Sequence, residues 1–462
     1  MSTHALRRAD RRLLTTLIGV CGLATAATAQ STEQPPPATA SAPANTPEPA
    51  PASPVPAPGT IPNPAPAVET VPISYDQPIL EGQPPTEISQ ELNDVSADRT
   101  GAIESPTFKG PLVLLREQAV ALEKDTGLRL GFAYTMLFQQ ASGGPGDRSA
   151  GGGDLDLYAA WTVLGRGTKD TGSINLALEY RNQIGSQTPA ELGPEIGTLL
   201  KTTNGFNERT FTVKELYWKQ TLLDGKFTYG IGRVDPENLF GGHKYQSANN
   251  FFLNQAFSTN PTVPYPGSGM AIAAALRPVD WWYVGGGISN ANGSTTNITI
   301  NEFFDEAEFL SFGEIGLTPT IEGMGKGRYR LALWHIDARE EAGVDSNEGF
   351  SLIMDQELTP TIGMFARYGY ANDSVSVANQ IAEAGIVFTG LIGGKDDVTG
   401  FAGAWTEPFG DKRDEIELEV FHRIQLTPQT QLTVGAQLIL QPSNAPEDDA
   451  LGVFSCRVRF TF

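Results

Sequence analysis

The sequence predicts an all-β fold: a transmembrane antiparallel β-barrel of about sixteen strands, preceded by a short N-terminal helix and a disordered Pro/Ala-rich segment. Three observations predict it. From Leu128 to Phe462 apolar and polar residues follow a period of two, most clearly toward the end. The alternating segments are even in number, and their connections are short and long by turns. The chain ends on an aromatic residue, Phe462.

The alternation is clearest at the C-terminus. Phe454, Cys456, Val458, Phe460 and Phe462 share one face, and Val453, Ser455, Arg457, Arg459 and Thr461 share the other. Upstream, Ile416, Leu418, Val420, His422 and Ile424 alternate with Glu415, Glu417, Glu419, Arg423 and Gln425. A strand that is apolar on one face and charged on the other needs oil outside and water inside. Strands are expected at 128–139, 153–164, 172–183, 208–221, 225–234, 268–278, 281–290, 308–319, 327–338, 348–358, 361–371, 380–390, 397–406, 413–426, 428–441 and 450–462. Each is near the ~10 residues that a tilted strand needs to cross a bilayer. Short connections follow the even strands, as at Pro278-Val279-Asp280 and Thr427-Pro428, and long ones follow the odd strands, as at 184–207 and 235–267. Short periplasmic turns and long outer loops are the asymmetry of outer-membrane barrels.

The N-terminus reads as an export signal over 1–29. Arg7, Arg8, Arg11 and Arg12 precede an apolar run, and Ala27-Thr28-Ala29 fits a cleavage site before Gln30. An uncleaved anchor helix is the alternative, against which the apolar run is short. Residues 30–87 are rich in proline and alanine and cannot bury a core. They read as an extended spacer, or as a partner-binding tract. In the pre-barrel segment 88–127, Pro111 suits a first helical turn. Leu112, Leu115, Ala119 and Leu122 follow at helical spacing, and Gly127 ends the helix. This helix reads as a plug, a periplasmic rim element or a plain lead into the barrel at 128–462.

Composition excludes several functions. A formal charge of -21 argues against nucleic acid. His4, His243, His335 and His422 show no metal-ligand spacing, and only Cys456 follows the signal. The Gly-rich stretches 143–154 and 390–397 lack phosphate-loop spacing, and no nucleophile elbow occurs. No enzyme activity, metal or cofactor is expected.

The residues expected to face a wet lumen are Arg129, Arg181, Arg277, Arg367, Arg423, Arg457 and Arg459, with Glu179, Glu415, Glu417 and Glu419. Opposed guanidinium and carboxylate clusters would set a field across the opening, and simple lumen solvation is the plainer role for any one of them. Arg233 and Asp235, where the third outer loop begins, are further pore-lining candidates. That loop offers Glu237, Phe240, His243, Tyr245, Phe251 and Phe252 as constriction candidates, if it folds inward rather than over the outside. Trp218, Trp281, Trp282, Trp334 and Trp405 read as an interfacial girdle, with a sugar slide as the alternative.

Residues 128–462 resemble the carbohydrate-selective porins of the OprB family. The resemblance rests on YTMLFQQASG (134–143), ELYWKQTLLDGKFTYGIGRVDPENLFG (215–241), PYPGSG (264–269), DDVTGFAGAW (396–405), EIELEVFHRIQLTP (415–428), LTVGAQLILQP (432–442) and RVRFTF (457–462). It implies a sixteen-stranded barrel in outer-membrane lipid that passes small sugars by diffusion. Family members often carry lysine where Arg233 stands, and the Pro/Ala tract lies outside the resemblance. A homotrimer, and recognition of Phe462 by the barrel assembly machinery, are further expectations. A general or organic-anion porin and an envelope-anchoring barrel are the competing readings.

Overall fold

The computed structural model describes residues 86–103, 106–298 and 300–462. The expected signal peptide, and the Pro/Ala-rich segment up to residue 85, lie outside the described residues. Two helices lead in: α1 (Ile88–Ser96) and α2 (Pro106–Thr126). The strands follow: β1 (Leu128–Ala141), β2 (Ser149–Leu164), β3 (Gly172–Gln183), β4 (Arg209–Leu222), β5 (Phe227–Val234), β6 (Gly269–Val279), β7 (Trp282–Asn290), β8 (Phe309–Leu317), the two-residue β9 (Thr320–Ile321), β10 (Gly325–Ile336), β11 (Asn347–Thr359), β12 (Ile362–Ala371), β13 (Gln380–Thr389), β14 (Val398–Glu407), β15 (Glu415–Thr427), β16 (Thr430–Leu440) and β17 (Ala450–Thr461). Three short helices sit in outer loops: α3 (Pro189–Ile196), α4 (Gln255–Ser258) and α5 (Asn301–Asp305).

All strands but β9 form one closed wall. Each pairs antiparallel with its neighbour in sequence, β8 passing to β10, and β17 returns to β1 in the register Ala133↔Thr461 to Ala141↔Val453. Phe132 and Phe462 exchange backbone hydrogen bonds of 2.6 and 2.8 Å at the seam. Closure leaves no strand edge in lipid, where an unpaired backbone group is costly. The expected strand ends differ from the observed ones by a few residues, and 172–183 coincides with β3.

The alternation places side chains as the oil-and-water reading requires. Phe454 (64 % exposed) and Leu333 (54 %) point outward, while Arg459 (1 %) and Glu415 (0 %) point into the lumen. Register shifts fall just before short turns, at Thr162/Leu164, Leu276/Val279, Glu357/Thr359 and Gln425/Thr427. β-Bulges there help the wall turn sharply. Two further shifts, at Ala177/Leu178 and Glu179/Arg181, lie mid-wall between β3 and β4, beside the site described below.

The lead-in corrects two expectations. α2 begins at Pro106, with Pro111 inside it, because Pro106 supplies the proline that a first helical turn accepts. Its end is as expected: Gly127 has φ +76°, and its N–H donates to Glu123 O at 2.7 Å. α2 stays at the periplasmic end of the wall, where Trp161 Nε1 donates to Thr126 O at 3.1 Å. The second correction is α1, a helix the sequence reading did not separate. Ile88 and Leu92, one turn apart, are buried against inward-facing Ala133, Tyr158 and Tyr217, so α1 lies inside the barrel.

Candidate functional site

Two outer loops fold into the lumen. The second, between β3 and β4, carries α3. Leu192 and Ile196 pack on the inward faces of Ala150, Ile439 and Val453. Gly151 and Gly152 clear its path: a Cβ on Gly151 would stand 2.4 Å from Ile184 O, and one on Gly152 3.2 Å from Phe206 O. Glu415 clamps the same loop. Its carboxylate accepts from the backbone N–H groups of Leu199 (2.9 Å), Leu200 (3.2 Å) and Ser443 (2.9 Å).

The third loop, between β5 and β6, takes the inward path that was left open. Wall arginines donate to its carbonyls, and wall glutamates accept from its amides. Arg367 donates to Gly241 O (3.2 Å), Gln246 Oε1 (2.8 Å), Ala256 O (2.8 Å) and Thr259 O, and pairs with Glu383 at 3.0 Å. Arg457 donates to Ala248 O (2.5 Å) and Phe251 O (3.0 Å). Arg423 donates to Asn250 O at 2.9 Å. Glu419 accepts from Leu253 N (2.7 Å) and Asn254 N (2.8 Å). These charge-assisted bonds satisfy loop backbone that would otherwise be buried unpaired.

A polar cavity of about 370 Å³ remains between the two loops, the wall and the N-terminal half of α1. Arg181 Nε donates to Asp154 Oδ1 at 3.0 Å, and its Nη1 donates to Asn207 Oδ1 at 2.8 Å. Glu179 pairs with Arg181 (2.9 Å), Arg209 and Lys214 (3.6 Å). Lys214 also lies 3.8 Å from Asp235. Asp154, Asp156 and Glu179 bring carboxylate oxygens within 4.8 Å of one another, and the cations just named offset their charge. Asp156 Oδ2 is buried without a hydrogen-bond partner among the described residues. Glu237 joins the two loops by accepting from Asn204 Nδ2 at 3.0 Å. Burial, reinforced by the charge of Asp235, pushes its carboxyl up to about 7.

A second cavity, of about 250 Å³, lies beside the short turns near 360 and 390. Lys244, Tyr245, Phe251, Arg99 and Arg423 line it, with the Arg423 guanidinium 5.5 Å from the Phe251 ring centre.

The expected residues therefore separate into groups. Arg181, Glu179, Asp235 and Glu237 line the upper cavity. Tyr245, Phe251 and Arg423 line the lower one. Arg367, Arg457, Glu415 and Glu419 face the lumen but hold loops there. Glu417 is buried behind them, accepting from Thr406 Oγ1 at 3.0 Å. Arg459 and Arg129 bind α1, through Glu91 (2.7 Å) and Asn93 Oδ1 (3.0 Å). Phe240, His243 and Phe252 pack as core. Phe240 stacks on Phe312, His243 stacks on Phe365, and Phe252 meets Phe421 edge-on.

Three placements correct the expectation. Arg277 lies at the periplasmic end of β6, donating to Asp280 O of the following turn at 2.7 Å and to Thr318 Oγ1 at 3.2 Å. Arg233 anchors the fourth outer loop through Ser294 O (2.5 Å) and Asn297 O (3.0 Å). Trp334 leaves the girdle, since its parity on β10 points it into the lumen-side core at 3 % exposure. The residues that sequence reasoning missed are Asp154, Asp156, Arg209, Lys214 and α1. Asp154-Leu155-Asp156-Leu157 carries the same alternation that marked Arg457 and Arg459 and was legible in the same way.

The fold is similar to that of two solved OprB structures. The high-pH structure of Pseudomonas putida OprB superposes with a TM-score of 0.62 at 15% identity, over 79% of this chain and 99% of that one. Its low-pH structure gives 0.50 at 15% identity, over 76% and 97%. No curated protein sequence matches the chain. The family model described as "Carbohydrate-selective porin, OprB family" matches residues 154–462, well over half of the chain. The chain belongs to the OprB family of carbohydrate-selective porins.

Proposed function

We propose that small neutral polar solutes, sugars foremost, diffuse through this outer-membrane porin by way of the upper cavity. The carrying observation is the make-up of that cavity. Arg181, Arg209 and Lys214 interleave with Asp154, Asp156, Glu179, Asp235 and Glu237, and Asn204, Asn207 and Asn249 join them in the lining. A solute crowded with hydroxyls finds donors and acceptors side by side and brings no charge of its own that must be met. The volume lies within the ~300–1,000 Å³ usual for small-molecule sites.

An organic-anion pore is a poorer fit. Arg367, Arg423 and Arg457 spend their donors on loop carbonyls, and carboxylates outnumber cations around the cavity. Two finer points go with the reading. Residues 1–29 direct export and are removed, and Phe462 addresses the chain to the barrel assembly machinery.

Swelling of liposomes that contain the refolded protein tests the function. Neutral monosaccharides should enter faster than sugar acids or amino sugars of similar size. Asp156→Leu, which removes the unpartnered acceptor, should weaken sugar binding by about 3- to 10-fold, as expected for one ordinary hydrogen bond. Faster entry of anions than of neutral sugars would favour the organic-anion pore.

A further inference from the structure

We propose that α1 is the floor of the solute path and sets the size limit of the pore. This rests on reading the barrel as a solute channel. α1 is bound to neighbouring wall strands and to the third loop. Arg459 of β17 pairs with Glu91 at 2.7 Å, and Arg129 of β1 donates to Asn93 Oδ1 at 3.0 Å. Tyr217 of β4 donates its hydroxyl to Glu87 Oε1 at 3.0 Å. At the top of the helix, Thr86 Oγ1 donates to Asn238 Oδ1, just beyond β5, at 2.6 Å.

The wall is shaped to receive the helix. A Cβ on Gly131 would stand 2.7 Å from Val95 Cγ2 and 2.9 Å from Leu92 Cδ2, so glycine lets the helix side chains pack directly on the wall. Ala133 and Ala177, also small and inward-facing, join the apolar cluster that buries Ile88 and Leu92. The helix presents its other side to the solute: Thr86 and Glu91 line the upper cavity itself. The strands that supply the cavity's charged wall, β2, β3 and β4, are thus in the same sector of the barrel that α1 occupies. Below the cavity a permeating solute meets the helix before it meets the periplasm.

The obstruction is large. A helix with its side chains is about 10–12 Å across, comparable with the open bore that a sixteen-strand wall leaves. The Glu91–Arg459 pair also fixes the position of the helix, because undocking would break a buried charge-assisted bond of 2.7 Å.

Single-channel conductance and liposome swelling test this on the full-length exported chain. One variant deletes residues 88–96, and a second, Gly131→Leu, fills the seat of the helix without altering it. Compact migration of unheated samples on denaturing gels reports that each barrel is folded. Both variants should at least about double the conductance, given the bore that the helix fills, and should pass disaccharides at close to monosaccharide rates. A third variant joins Val95→Cys to Gly131→Cys in a Cys456→Ser background. With the disulfide formed it should keep the parent's conductance and size limit.

A folded, helix-less barrel with the parent's conductance and size limit overturns the proposal. So does a disulfide-locked form that stops conducting, since the helix would then have to leave for the pore to open. A silent parent beside a conducting helix-less barrel supports the floor in its strongest form. Silence of parent and helix-less barrel alike overturns the porin reading, and the floor with it.

Discussion

Removing Arg367 should free the third loop while leaving the wall standing. Its guanidinium is fully buried on β12 and meets four acceptors of the loop as well as Glu383. Arg367→Ala strips the cation from a buried pair, a change that costs about 3–5 kcal/mol because the remaining charge stays buried. At 1.4 kcal/mol per tenfold, displaced forms of the loop become roughly a hundred to several thousand times more populated. Hydrogen exchange over 241–259 reads that shift directly, and single-channel recordings should show added current noise as the loop enters and leaves the bore. The ladders of β12 with β11 and β13 do not depend on the side chain, so their exchange should hold. Arg367→Ala with Glu383→Ala removes both charges and should be less damaging than the two single changes summed, by about 1–3 kcal/mol. Strict additivity, or unchanged loop exchange in Arg367→Ala, would refute the view that this ion pair seats the loop.

Two further outcomes follow from the same geometry. The Glu237 carboxyl is raised from 4.5 to about 7, so the folded loop favours its protonated form. The stability this gives is full below 4.5 and is lost as pH rises through about 7. Reversal potentials in a salt gradient should therefore move toward cation preference across that range, and Glu237→Gln should remove the movement. Phe454 faces lipid from within β17, so Phe454→Lys should cost the barrel about 2–4 kcal/mol if its site lies near the midplane. Thermal loss of compact gel migration measures this, and an unchanged midpoint would contradict the outward assignment.

The wall was largely legible because a membrane barrel writes its environment in parity. Leu418 must face oil and Glu419 water, and one register serves a whole strand. Depth is not written that way. Arg277 has the parity of a lumen residue, yet it lies close to the end of β6, and its side chain donates into a periplasmic turn. The partners of the charged wall were not legible either. Glu419 meets the amide of Leu253 across 166 positions of chain, and Arg457 meets Ala248 across 209. No local pattern says which loop a wall carboxylate will hold. Parity therefore identified inward arginines correctly while leaving open whether they meet solute or protein, and most of them meet loop backbone. α1 is a different case. Ile88, Leu92 and Val95 do recur at helical spacing, but its nine residues directly follow a proline tract and are brief for a helix signal. What stabilises α1 is tertiary: the buried ion pair and the glycine seat at 131.

The most direct test of sugar passage is the current through single channels in a planar bilayer as mono- and disaccharides are added. A neutral sugar that enters the cavity between the second and third loops displaces ions from the path. The current should fall saturably with monosaccharide concentration, and less with disaccharide. Open channels whose current ignores every sugar, while falling with small organic anions, would contradict it.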